Sequence, residues 1–313
     1  MNVYHGLEDG IDKYNNIVMA LGNFDGVHLG HRELIKRTIE IAARENGTPS
    51  VFTFDPHPMK ILRPDCCPPM LLSKEEKIRI LSDLGIKLLV ILPFSDDIAN
   101  LSPREFVKNV LIDKFKVRAV VVGYNYNFGY KGTGNAGLLT GLAGEYGIEA
   151  VVVPPVQHDK AEVSSTLIRN LLQKGDVSTA AEFLGYFPFI VSRVVTGDQR
   201  GRLIGFPTAN LELSDDILAP ANGVYAVRVH VNGAILRGIA NIGNRPTFDL
   251  NQPPNLEVHI FDFAREIYNT KIKVEFITRI RGEQRFSSVE ELVRQIENDS
   301  GEVKKVLAQV NEV

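Results

Sequence analysis

Two histidines three residues apart, His28 and His31, close the segment Gly22-Asn-Phe-Asp-Gly-Val-His-Leu-Gly-His31. Gly22, Gly26 and Gly30 allow main chain to come close to a ligand. The apolar run before the segment, residues 17–22, reads as a strand, and a helical pattern follows it. The decapeptide therefore sits at a strand-to-helix junction. A helix start presents unpaired N–H groups and a partial positive charge, which suits an anion. On a helical turn, residues three apart share a face, so both imidazoles can donate to phosphate oxygens. A strand-turn-helix with two satisfied surface histidines would use the same residues. A zinc site from His28, His31 and His57 lacks thiolate support, because the two cysteines, Cys66 and Cys67, are adjacent in sequence.

Two further stretches carry candidate chemistry. In Val163-Ser-Ser-Thr-Leu-Ile-Arg169, the residues Ser164, Ser165 and Thr166 stand where a helix should start, and their hydroxyls can cap it or bind phosphate. An ordinary capped helix reads the same way. In Gly197-Asp-Gln-Arg-Gly-Arg-Leu-Ile-Gly-Phe-Pro-Thr-Ala-Asn210, three glycines space a loop that carries Arg200 and Arg202. Thr208 and Asn210 follow, two residues apart, and on a strand they face one side. Two neutral oxygen ligands on one face can hold Mg²⁺ while waters and phosphates complete its octahedron. A Gly-rich hairpin running into an edge strand is the competing reading.

Short apolar runs at residues 17–22, 49–54, 88–92, 118–122 and 148–153 read as strands buried on both faces of a parallel sheet. Ser73-Lys-Glu-Glu76 and Ser102-Pro-Arg-Glu105 are capping-box helix starts between them, the second with Pro at the first helical position. Strands alternating with helices predict a doubly wound α/β domain. The pattern changes near Gly185-Tyr-Phe-Pro188. Alternating stretches follow at 189–195, 223–231, 236–242, 256–261 and 272–280, punctuated by Pro, Gly and Asn as in a small antiparallel β barrel. A final helix starts around Ser288-Val-Glu-Glu291. The expected domains are residues 1–185 and 186–313.

The 313 residues suffice for two ordinary domains, and 44% hydrophobic with 23% charged residues is a globular balance. No apolar run reaches the ~18 residues that span a bilayer. The start, Met1 to Glu8, lacks a signal-peptide layout, and two adjacent cysteines cannot staple distant segments. These features predict a reducing cytoplasm and no membrane partner. Net charge is −3, with 20 Lys+Arg against 22 Asp+Glu in residues 1–185 and 15 against 16 in the rest. Neither half has a nucleic-acid footprint. Oligomeric state is not encoded legibly.

The segment 22–31 resembles the phosphate-binding motif of the HxGH nucleotidylyltransferase superfamily, and more narrowly that of the prokaryotic bifunctional riboflavin kinase/FAD synthetase family. Phe54-Asp-Pro-His-Pro58 is similar to the family's F-x-P-H-P stretch. Val121-Val-Gly-Tyr-Asn-Tyr-Asn-Phe-Gly129 resembles its V-V-G-x-D/N-F-x-F-G loop, and Val163–Arg169 its I-S-S-T-x-I-R motif. Residues 201–210 resemble the G-R-x-L-G-F-P-T-A-N signature of riboflavin kinases. Residues 223–227, 241–248, 256–263, 281–286 and 295–299 also match that family. The resemblance covers nearly the whole chain. Asn125 and Asn127 depart from it, standing where many members carry Asp and Arg, and Lys131 can restore a positive charge nearby. Ile267-Tyr-Asn-Thr270 replaces an L-Y-G turn, and Asn tolerates the left-handed backbone that such a turn needs.

The resemblance implies a Rossmann-like adenylyltransferase domain followed by a riboflavin kinase barrel with a C-terminal helix. Its substrates and products would be riboflavin, FMN, FAD and ATP, with Mg²⁺ as cofactor. In the first domain it implies that His28 and His31 hold ATP phosphates and the transition state. Gly22, Phe24, Asp25, Gly26, Asn125, Ser164, Ser165, Thr166 and Arg169 complete the ATP site, with Arg169 placed to bind departing pyrophosphate. Phe54, Pro56 and Pro58 would shape a flavin cavity, and His57 is as much structural as functional. In the second domain it implies Glu257 as the base that takes a proton from the ribityl hydroxyl. Gly197, Arg202, Gly205, Pro207, Thr208 and Asn210 would bind ATP, and Thr208 and Asn210 the metal. Flavin would sit between the barrel mouth and the last helix, near Arg294 or its neighbours. Two other readings stay open. One is a chain with a single working site, the other domain serving as scaffold or regulator. The other is a flavin- or nucleotide-binding regulator without turnover.

Overall fold

The computed structural model describes residues 1–6, 11–197, 201, 204–243 and 255–310. The chain divides into two compact units, Met1–Ser164 and Ser165–Val313.

The first unit contains β1 (Asn2–His5), β2 (Ile17–Leu21), α1 (Leu29–Arg44), β3 (Thr48–Phe54), α2 (Lys74–Asp83), β4 (Leu88–Leu92), β5 (Ala119–Gly123), α3 (Ala136–Glu145) and β6 (Glu149–Val153). The six strands form one sheet in the order β1-β4-β3-β2-β5-β6, and every pair is parallel. Chain order runs one way from β2 through β3 to β4 and the other way through β5 to β6. The sheet therefore switches direction beside β2, where open α/β sheets bind ligands at the strands' carboxyl ends. All five residues of β2 are buried, as are all five of β4, which is why they read as continuous apolar runs. The sequence pattern missed β1, a four-residue edge strand with no fully buried residue.

Helix starts follow the predicted caps. Ser73 Oγ accepts from the Glu76 N–H, and Ser102 and Glu105 form a reciprocal capping box. The helix opening at Pro103–Glu105 continues over Phe106–Lys114 with wider, π-type winding. Its Phe106, Val107, Val110 and Leu111 join Met19, Phe52, Leu88 and Val120 in one core. On the other helix that matters here, α1, the residues Leu34, Ile35, Ile41 and Ala42 are buried.

The second unit opens with α4 (Ser165–Lys174) and α5 (Val177–Leu184). Six strands follow: β7 (Phe189–Val195), β8 (Ala209–Leu211), β9 (Gly223–Val231), β10 (Ala234–Gly243), β11 (Asn255–Ile260) and β12 (Lys271–Arg281). They close into an antiparallel barrel in the order β7-β8-β11-β10-β9-β12. Tyr225, Val227, Val229, Val258, Val274 and Phe276 are fully buried in this unit. A last helix, α6 (Val289–Gln309), is capped by Ser288 and lays Val303 and Leu307 against Val224, Ala226, Ile239 and Ile277.

Helix α4 belongs with the barrel. Arg279 Nη1 donates to the Lys174 carbonyl at 3.2 Å, and the Ala221 N–H donates to the Leu172 carbonyl. The compact units thus divide after Ser164, while the change from helix to strand falls between Leu184 and Phe189. Asn269 adopts φ 62°, the left-handed angle expected of the Tyr-Asn turn. The barrel has one strand more than the alternating stretches indicated. The added strand is β8, whose three residues are too few to show a period.

Candidate active sites

The first site lies at the carboxyl end of β2. The turn between β2 and α1 is left-handed at Phe24 (φ 50°), Gly26 (φ 82°) and Val27 (φ 37°). Phe24, Asp25 and Val27 are all buried. His28 is the N-cap of α1, and its Nδ1 accepts from the His31 N–H at 3.3 Å. The two imidazoles stack, with centroids 3.7 Å apart and planes 16° off parallel. Gly30 makes this possible: a Cβ there would come 3.1 Å from His28 Cε1 and 3.7 Å from the Val163 carbonyl oxygen. Val163 and Ser164 are the last residues of this unit. His31 Nδ1 is buried with no hydrogen-bond partner. Burial first, then the charges of His28 and Lys77, hold the His31 ring well below the usual imidazole range. His31 is therefore neutral at neutral pH, and can offer one N–H without carrying a charge.

Two contacts here escaped the sequence reading. Asp25 Oδ1 accepts from the Leu71 N–H at 2.9 Å, and Lys77 Nζ donates to the Asn23 carbonyl at 2.9 Å. Neither spacing is a motif. Ser165, Thr166 and Arg169 stand on the first two turns of α4, with Arg169 buried.

The second site is built on β11. Glu257 pairs in register with Asn210 of β8 on one side and Asn241 of β10 on the other. Asn255 Nδ2 donates to Asn210 Oδ1 at 3.1 Å and to Glu257 Oε1 at 3.0 Å. Two residues beyond Glu257, His259 Nδ1 lies 2.8 Å from the Pro207 carbonyl oxygen. Asn255, Glu257 and His259 alternate along one face of the strand, and that face grips residues 207–210 at both ends. Gly197 lies against Asn210: a Cβ there would sit 2.3 Å from Asn210 Nδ2. A Cβ on Gly201 would be 3.4 Å from Thr208 Oγ1. Thr208 immediately precedes β8 rather than lying in it, while Asn210 is a buried strand residue. Gly205 is left-handed at φ 89°. Arg200, Arg202 and residues 244–248 lie outside the described residues.

A family model for FAD synthetase matches residues 11–167, and one for riboflavin kinase matches residues 184–307. The Bacillus subtilis bifunctional riboflavin kinase/FMN adenylyltransferase is 41% identical over 289 residues, 91% of this chain and 90% of its own. The Escherichia coli K12 protein of that name is 38% identical over 285 residues, 90% of each chain. This chain belongs to the bifunctional riboflavin kinase/FMN adenylyltransferase family. A solved chain from Streptococcus pneumoniae, described as a macrolide-efflux protein, superposes with TM-score 0.86 at 33% identity, covering 96% of this chain and 98% of that one. Among the described residues here, no helix is long and apolar enough to cross a membrane.

The other segments that carried the family resemblance fall around the first sheet. Phe54 ends β3 and meets Phe52 and Phe94 edge-on, each at 5.2 Å. The Asp55–Pro56 bond is cis, and Pro58 opens a short helix, Pro58–Leu62. His57 caps that helix, its Nδ1 accepting from the Met59 N–H at 3.1 Å, so it has a structural task. Asn125 is exposed beyond β5, and Asn127 Nδ2 donates to its carbonyl at 2.9 Å. Lys131 is left-handed, with its ammonium 5.1 Å from the Tyr130 ring centre. Arg294 donates to the Glu290 carbonyl within α6. Cys66 and Cys67 are both free thiols.

Proposed function

We propose that the chain carries out two successive reactions on one flavin. It phosphorylates riboflavin with ATP to give FMN, and it transfers AMP from a second ATP to FMN, giving FAD and pyrophosphate. The observation that carries this reading is the pairing of two different phosphate-handling arrangements in one chain. One is a helix start with stacked histidines at a sheet's switch point. The other is a carboxylate hydrogen-bonded, through Asn255, to the amide of Asn210.

The two arrangements match two nucleophiles. The FMN phosphate is already ionised at neutral pH and attacks phosphorus without a protein base, so its site needs positioning and charge stabilisation. His28, His31 and the α1 N–H groups supply donors there. Gly22, Phe24, Asp25 and Gly26 shape the turn, and the family resemblance implies Asn125, Ser164, Ser165, Thr166 and Arg169 as further nucleotide-binding residues. Phe54, Pro56 and Pro58 line the flavin side. The ribityl hydroxyl is a neutral alcohol and benefits from a carboxylate that takes its proton. Glu257 has that role, and Asn255 donates to its Oε1 at 3.0 Å. Gly197, Arg202, Gly205 and Pro207 form the nucleotide loop.

The kinase site fits Mg²⁺. Thr208, Asn210 and Glu257 offer oxygen donors of the kind a hard cation takes. Thr208 and Asn210 would hold the ion, which would neutralise charge on the ATP phosphates. We assign the adenylyltransferase part to residues 1–185 and the kinase part to 186–313, a division supported by the kinase family model beginning at residue 184. The reading includes a cytoplasmic setting, supported by two free cysteines adjacent in sequence, and no nucleic-acid partner, supported by the net charge of −3.

The test is direct. Purified chain incubated with riboflavin, ATP and Mg²⁺ yields FMN first and FAD after it, resolved by chromatography. FMN accumulating without FAD at high ATP would leave one working site. Flavin binding with no product would make the chain a regulator.

A further inference from the structure

Lys77 of α2 reaches the turn that carries the first site. Its side chain is half-buried, and its ammonium donates to the Asn23 carbonyl at 2.9 Å. That carbonyl also accepts from Thr53 Oγ1 at 3.2 Å, so it is held from β3 and from α2 at once. Asn23 is the first residue of the turn that leads into Phe24, Gly26 and Val27, the three left-handed positions before His28. For Phe and for β-branched Val, left-handed backbone is unfavourable and persists only where its surroundings fix it. The same stretch of chain fixes the turn a second time, through the Leu71 N–H on Asp25.

We propose that Lys77 is a positioning residue for adenylyl transfer: by holding the Asn23 carbonyl it fixes the left-handed turn that presents His28 and His31 to the nucleotide phosphates. This rests on the bifunctional reading above. The ammonium group has a further consequence. Its charge is one of the causes that keep His31 neutral, after burial and His28. The groups that face Lys77 itself are the Asp25 and Asp55 carboxylates, which favour its charge, while burial opposes it. A positive group retained in a desolvated place, with N–H groups to spare, suits a site that receives polyanions.

The experiment compares K77M, which keeps the length of the side chain, with K77R, which keeps the charge and the donors. Both are made in the full chain. We expect kcat for FAD formation from FMN and ATP to fall about tenfold to a hundredfold in K77M, the effect of a small misplacement of positioning groups. KM for ATP changes little, K77R recovers most of the rate, and riboflavin phosphorylation is unchanged in both. The His31 ring, followed by NMR titration of the ligand-free chain with His31→Gln for assignment, titrates at higher pH in K77M and near its original pH in K77R. Adenylylation unchanged in K77M would overturn the proposal. So would K77R as slow as K77M, or both activities lost together. If the unaltered chain makes no FAD, the bifunctional reading fails instead. The His31 titration then still decides whether Lys77 governs the turn, and an unmoved titration would overturn it.

Discussion

The two candidate sites handle phosphate by opposite means. In the first, the decisive groups come from main-chain geometry: a left-handed turn, a helix start and two imidazoles stacked 3.7 Å apart, one of them held neutral. In the second, they come from strand register: Glu257 lies opposite Asn210 and Asn241, and one amide ties the carboxylate to the asparagine. The difference follows the nucleophile. An ionised phosphate needs a well-aimed partner and no base, whereas an alcohol needs its proton removed. A helix terminus suits the first task because its N–H groups are already unpaired. A barrel strand suits the second because alternation holds a carboxylate between fixed neighbours.

The comparison breaks most sharply at Glu257. Glu257→Ala should lower riboflavin phosphorylation by about 10²–10⁴, the range for loss of a general base. FAD formation from supplied FMN should continue at the original rate, measured in the same preparation. A smaller but still large effect is expected at the other site. His28→Ala combined with His31→Ala should lower FAD formation by about 10²–10³, the range for removing donors to developing charge. Riboflavin phosphorylation should persist. Equal loss of both activities in either variant would mean that the sites do not work independently.

Asn255 sharpens the comparison at a finer grain. Its amide donates to Asn210 Oδ1 and Glu257 Oε1, at 3.1 Å and 3.0 Å. Asn255→Ala leaves the proposed base and the proposed metal ligand in place but unlinked, so phosphorylation should fall about tenfold, the cost of a net hydrogen bond or two. The Mg²⁺ dependence should shift to higher concentration, because Asn210 loses its orienting partner. Titrating kinase activity against Mg²⁺ checks both. An unchanged Mg²⁺ dependence would separate Asn255 from the metal ligand.

The sequence disclosed the architecture well because its strongest signals are the ones that architecture depends on. The buried strands at 17–21 and 88–92 are continuous apolar runs, and the caps at Ser73, Ser102 and Ser288 precede their helices as expected. The weak elements were illegible for a physical reason. Strand β1 is a half-exposed edge of four residues. Strand β8 has three, too few to show a period, and only the strand reading of Thr208 and Asn210 points to it. Within the candidate sites, the residues that the sequence singles out lie close together along the chain: His28 with His31, and Thr208 with Asn210. It does not single out Lys77 or Asn255. Lys77 reaches the first turn from 54 positions away, and Asn255 reaches Asn210 from 45. Only Asn255 left a trace, two positions before Glu257 on the same strand face. His57, which the sequence leaves open between a structural and a functional role, caps a short helix.

The smallest expected effect is on stability, and it again divides the two sites. His31 is half-buried, its Nδ1 is buried without a partner, and its ring stays neutral well below the ordinary imidazole value of 6.5. In the unfolded chain the same ring protonates as pH falls through about 6.5. The folded-state value is the lower one, so between the two the unfolded chain binds the extra proton. Stability from this group is thus present above the unfolded value and declines as pH falls towards the folded one. His31→Gln, which cannot titrate, should flatten this acid-side decline for the unit Met1–Ser164. The barrel, which does not contain His31, should keep its pH dependence unchanged. Denaturant melts read at pH 5 to 8, by a probe in each unit, measure the contrast. A His31→Gln chain with the original pH dependence would show that the stacked pair is open to water, and the case for histidines as preorganised neutral donors would weaken with it.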